Sequence, residues 1–457
     1  MIKRIIHHFR KERDLTAGSI SKAIWFLAVP MIASNVLQSA FNLVDMAFVG
    51  RLGPVALAAV AMAGQILMIL MFVMIGIGAG TTALISRAVG EKNRTKADNI
   101  AMQTAILGLI GSLVFGAIGY FSSPWMLKLL GASPEVIQIG TGYLQITFAG
   151  IMALVYMFSI AAVLQGAGDA TTPMIILGVS TILNIVLDPL LIFGIGFFPR
   201  LGVNGAAWAT VISRGIGALI ALEVLLKGRS RVHVRLKYLR FDFDIIWRIL
   251  KIGMPASAQM TLRGLVGIAL IAVVAGFGTV AVAAYGIGIR FHMLAMMPGF
   301  ALGMAAQTLV GQNLGARQPH RASRSAWTAT GYYSIFMVAM TMLFIIFAPQ
   351  LILLFNNDPH VLRLGTDFLR ITSWGYLFIA LSLIFNRSLS GAGDTISPMI
   401  LTFISLWLVQ LPLAVFLSRM PALGVDGIWI AILVSYAVQG VLTVAWFQTG
   451  RWKHKKV

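Results

Sequence analysis

The sequence predicts an all-α membrane protein of twelve transmembrane helices in two six-helix lobes, and three observations carry the prediction. Of 457 residues, 58% are hydrophobic and only 11% charged, with a mean hydropathy of +0.88; a soluble domain carries about 25% charged residues. Apolar stretches long enough to cross a hydrocarbon core, about 20 residues at ~1.5 Å rise each, recur from residue 22 almost to the C-terminus. The second half of the chain also repeats the first at a fixed offset.

Apolar windows bounded by Gly, Pro and charge clusters place the spans near 22–48, 55–82, 99–121, 136–164, 172–196 and 205–226. A second set follows near 246–274, 279–308, 325–348, 361–386, 397–418 and 427–448. Their length makes them helices, because a barrel strand needs only about 9–11 alternating residues. Residues 1–21 read as a basic cytoplasmic segment, since MIKRIIHHFRKERD lacks a cleavable signal layout. Residues 22–226 form the expected N-lobe, the basic stretch 227–245 a cytoplasmic linker, 246–448 the C-lobe and 449–457 a cytoplasmic tail.

Lys and Arg set the orientation. The segments on the N-terminal side of the membrane hold 26 of them, Arg387 and the linker included, whereas the opposite loops hold five: Arg51, Lys128, Arg200, Arg363 and Arg419. Both termini are therefore expected in the cytoplasm, and the chain is expected to be a multi-pass protein of the cell inner (plasma) membrane.

Several function classes fall away. The net charge of +20 is spread between apolar spans, not gathered on one basic face as nucleic-acid binding requires. There is no cysteine, hence no disulfide, thiolate metal site or cysteine nucleophile. No GxxxxGK[ST], HExxH or GxSxG motif occurs. ATP-driven work within this chain is excluded, enzyme chemistry is unsupported, and no cofactor is expected.

The repeat holds one register, 225 residues, over much of the chain. Pro30 falls on Pro255, Gly78 on Gly303, Gly90 on Gly315 and Pro134 on Pro359, and LQGAGDATTPM (164–174) meets LSGAGDTISPM (389–399). After a three-residue length change the offset is 222, where GVNG (202–205) meets GVDG (424–427). An even number of spans per repeat gives both halves the same topology, related by an axis along the membrane normal. Transporters built this way bind substrate at the repeats and alternate access by rocking.

Two of the fifteen acids lie inside spans, Asp45 in the first and Asp188 in the fifth. An ionised carboxylate at the bilayer centre costs about 2.5–3.5 kcal/mol on insertion scales, so such residues face a cavity or an ion path. Asn35, Gln38, Asn42 and Asp45 step by 3, 4 and 3 along one helix face, and Thr181, Asn184 and Asp188 step by 3 and 4. Hard oxygen ligands in a partly dry pocket suit a small cation or a transferable proton. The alternative is that these groups bond one another as interhelical glue.

The halves differ at these positions, because Asp45 aligns with Leu270 and Asp188 with Leu413. Gln38 aligns instead with Arg263 and Gln65 with Arg290, so Arg263, Arg290 and His292 are candidates for gating in the C-lobe, or for snorkelling. Pro30 interrupts backbone pairing in the first span and is a candidate hinge. Methionines such as Met31 offer adaptable apolar walls.

VPMIASNVLQSAFNLVDMAFVGRLG, the LQGAGD and LSGAGD loops, NIVLDPLLIFG, and LGVNGAAWAT with its counterpart LGVDGIWIA together resemble the multidrug and toxic compound extrusion (MATE) family over nearly the whole chain. The resemblance implies two lobes around a V-shaped central cavity, with organic and often cationic compounds exported in exchange for Na+ or H+. It implies a cation-coupling site of Asp45, Asn184, Asp188 and Thr210, which would also be the Na+ ligands, and a cavity lined by Gln38, Asn35, Asn42, Tyr143 and Met31. The pattern is closer to the DinF-like branch than to the NorM branch, whose C-lobe carries membrane acids absent here. The implied partners are the lipid bilayer and small organic substrates, with a monomer as the functional unit. A lipid-linked precursor flippase of the same superfamily, and a channel, are the alternatives.

Overall fold

The computed structural model describes residues 14–228, 231–234 and 240–455, and these contain no strand. The rest of the expected N-terminal segment and parts of the linker lie outside the described residues. In chain order the helices are α1 (Ile20–Gly50), α2 (Pro54–Gly90), α3 (Arg94–Leu129), α4 (Pro134–Ala149), α5 (Ile151–Gly166), α6 (Thr171–Phe193) and α7 (Val203–Leu226). They continue as α8 (Phe243–Ala275), α9 (Thr279–Gly315), α10 (Pro319–Leu353), α11 (Pro359–Ser373), α12 (Tyr376–Gly391), α13 (Ile396–Phe403), α14 (Leu411–Ser418) and α15 (Asp426–Gln448). Among the described residues ten stretches can each cross a membrane alone, α13 to α14 counting as one, and two bent pairs, each taken as one span, bring the total to twelve. The protein is an all-α, multi-pass membrane protein of twelve spans. Exposed Leu43, Ile69, Phe121, Leu219 and Ile335 suit a hydrocarbon surround.

The expected spans at 136–164 and 361–386 are each two helices, α4 with α5 bent by 50° and α11 with α12 bent by 55°. Both pairs open on a proline behind a capping side chain. Ser133 accepts from the Val136 N–H at 3.4 Å, and Asp358 accepts from His360 N–H at 2.8 Å and Val361 N–H at 3.2 Å. The bends fall at Gly150 and Gly375, which are 225 residues apart. A Cβ at Gly150 would land on the Val211 side chain, and one at Gly375 would come within 2.8 Å of the Tyr436 ring. Apolar content reveals a span's length but not a change in its axis.

The eleventh span also departs from a plain helix. Between α13 and α14 runs a seven-residue π-helix, Ile404–Gln410, in which the Leu411 N–H reaches back five residues to the Leu406 carbonyl. Pro412 has no N–H with which to continue an α ladder.

The helices gather into two compact units, one holding Val29–Gly253 and the other Leu15–Ala28 with Met254–Val457. The divisions fall inside α1 and inside α8, 225 residues apart, whereas lobe limits were expected at 22 and at the linker. Local contacts explain both. Arg321 donates to the carbonyls of Gly18 and Ala17 at 2.9 Å each, and Trp25 lies 5.4 Å from Tyr332, fixing 15–28 to the second unit. In the first unit, a Cβ at Gly80 would fall on the Ile249 carbonyl, and one at Gly253 would sit 3.1 Å from the Gly76 carbonyl. Backbones cross there with no room for a side chain.

The core of the first unit packs Val60, Leu70, Met74, Leu144, Phe148 and Val155. The linker is pinned to α3: Gln103 donates to the Arg240 carbonyl at 2.8 Å and accepts from the Asp242 N–H at 3.1 Å, and Asp98 accepts from the His233 N–H at 2.8 Å. The second unit stacks Phe385 on Phe447 at 4.3 Å and Phe447 on Trp452 at 4.6 Å. In the loop between α12 and α13, buried Asp394 accepts from Lys455 Nζ at 2.7 Å, Ser397 Oγ at 2.8 Å and Trp446 Nε1 at 3.1 Å.

Candidate functional site

The first unit gathers charge inside its spans. Asp188 and Asn184 on α6 are completely buried, and Asp45 on α1 is 8% exposed. Asn184 Nδ2 donates to Asp188 Oδ1 at 3.1 Å. That bond leaves three acceptors with no donor, Asp188 Oδ2, Asn184 Oδ1 and Asp45 Oδ1. The two carboxylates interact electrostatically with each other and with the buried phenol of Tyr143 on α4. Buried oxygens without donors are rare, because each costs about 1–3 kcal/mol. Two of the three belong to carboxylates that act on each other, so the arrangement offers oxygens able to take a cation or a proton.

A third charge belongs to this set. Arg214 on α7 interacts electrostatically with Asp45 and Tyr143, forms no ion pair within 4.0 Å among the described residues, and lies over the Phe41 ring at 4.7 Å. Its Nε has no hydrogen-bond partner. The sequence held the signal, since an arginine within VISRGIGALI is as costly in a bilayer as an aspartate.

The other expected residues separate. Gln38 donates to Asn42 at 3.2 Å; Asn42 is exposed, while Gln38 and Asn35 are half-buried. Met31 is buried in helix packing at 2% exposure. Thr181 bonds its own helix, through the Leu177 carbonyl at 2.8 Å. Thr210 is half-buried and precedes Arg214 by one helical turn on the same face. Pro30 lies two residues beyond the α1 division, and its carbonyl accepts from Ser34 Oγ at 2.9 Å.

The second unit is polar inside in a different way. Gln259 and Gln439 both donate to Thr402 Oγ1, at 2.8 and 3.1 Å, which is a satisfied interhelical network. Nearby polar groups are not satisfied. Tyr436 OH meets His292 Nε2 at 3.3 Å, leaving His292 Nδ1 without a partner; the Tyr376 hydroxyl and Arg263 Nε also lack one. Arg290 is exposed. Arg387, expected in a loop, lies within α12 against Gly303 of α9.

Among the described residues no three His, Asp or Glu side chains gather to hold a metal. A cation at the first-unit site would therefore rely on amide and hydroxyl oxygens beside the two carboxylates.

The MatE family model matches residues 30–190 and 255–416, the two repeats found in the sequence. The chain is 32% identical over 447 residues to the probable multidrug resistance protein YoeA of Bacillus subtilis, with 96% of each covered. It is 29% identical to the FAD transporter of Shewanella oneidensis, covering 94% of this chain and 95% of that one. A crystal structure of MATE in the bent conformation superposes with a TM-score of 0.90 at 26% identity, over 95% of this chain and 96% of that chain. With its twelve spans and its duplicated six-span unit, the chain belongs to the MatE family of multidrug and toxic compound extrusion proteins, which are membrane transporters and not enzymes.

Proposed function

We propose that the protein is a secondary active antiporter of the cell inner membrane, with both termini cytoplasmic, that exports organic and often cationic compounds in exchange for Na+ or H+. The observation that carries this reading is the trio of donorless oxygens on Asp45, Asn184 and Asp188 in a buried, doubly acidic site. Two carboxylates in a low-dielectric pocket repel each other, so the site takes up one positive charge readily. Asp45 and Asp188 hold the incoming cation, Asn184 contributes its carbonyl oxygen, and Thr210 is the remaining candidate ligand. Gln38, Asn35 and Tyr143 supply the polar lining toward substrate.

Coupling requires only that ion and substrate bind the two access states with different affinity. Cation uptake between α1 and α6 changes the charge on α1 about four turns from Pro30, and Pro30 is the point at which α1 can yield. The restriction of intramembrane acids to the first unit supports the DinF-like branch. A monomer is a sufficient functional unit, because the candidate site is assembled within one unit of one chain.

The test is efflux from membrane vesicles with the sodium and proton gradients imposed separately. Asp45→Asn and Asp188→Asn are each expected to abolish gradient-driven efflux. Unchanged transport in both variants overturns the assignment, and the gradient that drives the wild type identifies the ion.

A further inference from the structure

We propose that the interior of the second unit holds an anion-recognition site centred on Arg263, with His292, Tyr376 and Tyr436 toward one end of it and Arg387 toward the other, that takes a phosphate or carboxylate group.

Residues 254–457 and 15–28 contain four acids, Asp358, Asp367, Asp394 and Asp426, and none lies among these basic groups. Asp394 is bound to Lys455, Asp367 lies 4.0 Å from Arg363, Asp358 caps α11, and Asp426 opens α15. Gln259, one turn before Arg263 on α8, and Gln439, one turn after Tyr436 on α15, share Thr402 Oγ1 at 2.8 and 3.1 Å, which sets Arg263 beside the Tyr436–His292 pair, and Arg263 acts electrostatically on both His292 and Arg387 of α12. Neither arginine has an ion-pair partner among the described residues.

The rim of the cluster is formed by rings whose polar atoms are only partly used. His292, on α9, stacks on Tyr436 of α15 at 5.6 Å and meets Tyr376 of α12 edge-on at 5.5 Å. His292 is 6% exposed and Tyr376 completely buried, yet His292 Nδ1 and the Tyr376 hydroxyl have no hydrogen-bond partner. Arg263 Nε is in the same condition. Buried polar atoms are almost always paired. Here the rings of α9, α12 and α15 gather unused polar atoms on the side of Arg263, while Arg387 adds a second guanidinium about three turns further along α12; the planar fork of an arginine matches phosphate and carboxylate oxygens.

The repeat shows that packing does not require these cations. Arg387 stands where the first unit has Ala162: a Cβ on Gly78 would lie 3.6 Å from Ala162, and one on Gly303 would lie 2.9 Å from Arg387. Arg263 stands where the first unit has Gln38. The same fold therefore accepts Ala and Gln in these seats, and the second unit has exchanged both for fixed positive charge. The inference goes beyond the antiport reading and does not depend on it.

A soluble organic anion and an anionic lipid headgroup share this chemistry, and two arms of one experiment separate them. The full chain is purified and placed in phosphatidylcholine nanodiscs, and FMN binding is compared with that of riboflavin, which lacks only the phosphate. The wild type is expected to bind FMN at least tenfold more tightly. In the Arg263→Gln, Arg387→Ala double variant, which uses the residues of the first unit, the ratio is expected to fall to within twofold with riboflavin binding unchanged. In the second arm phosphatidylglycerol is added, and lipid retained by the purified protein is measured by native mass spectrometry. Phosphatidylglycerol held by the wild type, lost in the double variant and displacing FMN identifies the headgroup as the anion. A wild type that neither prefers FMN nor retains phosphatidylglycerol overturns the site, as does a preference that survives in a folded double variant. No gradient is applied, so failure here leaves the efflux test of Asp45 and Asp188 untouched.

Discussion

Asn184 binds one oxygen of Asp188 at 3.1 Å and leaves the other, Oδ2, without a donor. The amide thus orients the carboxylate while presenting its own carbonyl oxygen, also donorless, to the same site. Asn184→Leu keeps the volume and removes both roles. We expect gradient-driven efflux to fall about tenfold, equivalent to ~1.4 kcal/mol, with the protein still folded. Initial efflux rates in vesicles measure this.

Arg214 is a fixed positive charge that shares Asp45 with any incoming cation. At an effective dielectric of about 20, two charges a few ångströms apart interact by several kcal/mol. Arg214→Gln is therefore expected to raise apparent affinity for the coupling ion by about tenfold or more. It should also lower maximal efflux, because a more tightly held ion leaves more slowly. Arg214→Lys, which keeps the charge, should retain most of the wild-type ion dependence. The ion concentration giving half-maximal efflux reports both variants.

Pro30 lacks an N–H and withholds one backbone bond from α1. Pro30→Ala restores that bond, with a gain of up to about 3 kcal/mol for the uninterrupted helix. Greater thermal stability together with slower efflux is the expected pair of results. A rise in stability with full transport would remove Pro30 from the coupling pathway.

Asp394 gives a pH dependence outside the spans. Burial pushes its carboxyl up, but the hydrogen bonds from Lys455, Ser397 and Trp446 outweigh burial and hold it below its ordinary 3.8. A carboxylate depressed on folding contributes stability above its unfolded pKa and loses it as pH falls through the lower folded value. Lys455→Ala should cost about 1 kcal/mol, a modest amount because the lysine side chain is 38% exposed. That difference should be constant from about pH 7 to about pH 5 and shrink only in the acid range below 3.8. Thermal unfolding of the wild type and variant across this range measures it.

Much of the fold was legible because a bilayer solvent imposes long apolar windows and the repeat marks every loop twice. Each expected span lies on one of the twelve spans, while the breaks at Gly150 and Gly375 and the π-helix before Pro412 were not visible. These depend on which neighbour presses on the backbone, and single-chain periodicity carries no such information. The acidic site was half legible. Asp45, Asn184 and Asp188 stood out as polar groups at helical spacing, whereas Arg214 was overlooked although the same cost argument covers it. Arg387 was counted among loop charges that set orientation, because it follows the apolar window by one residue; only the seat opposite Gly303 reveals its burial.

The divisions at 28/29 and 253/254 bear on the order in which the chain matures. During synthesis, Leu15–Ala28 precedes its packing partners in the second unit, because Arg321 and Tyr332 are translated some three hundred residues later. Phe243–Gly253, by contrast, finds the first unit already made. A nick in the polar linker would therefore not yield two self-sufficient halves, because the leading fragment would carry a segment that belongs to the trailing one, and the trailing fragment would carry the closing turns of the first. Leu15–Ala28 is thus among the last of the described segments to find its native surroundings.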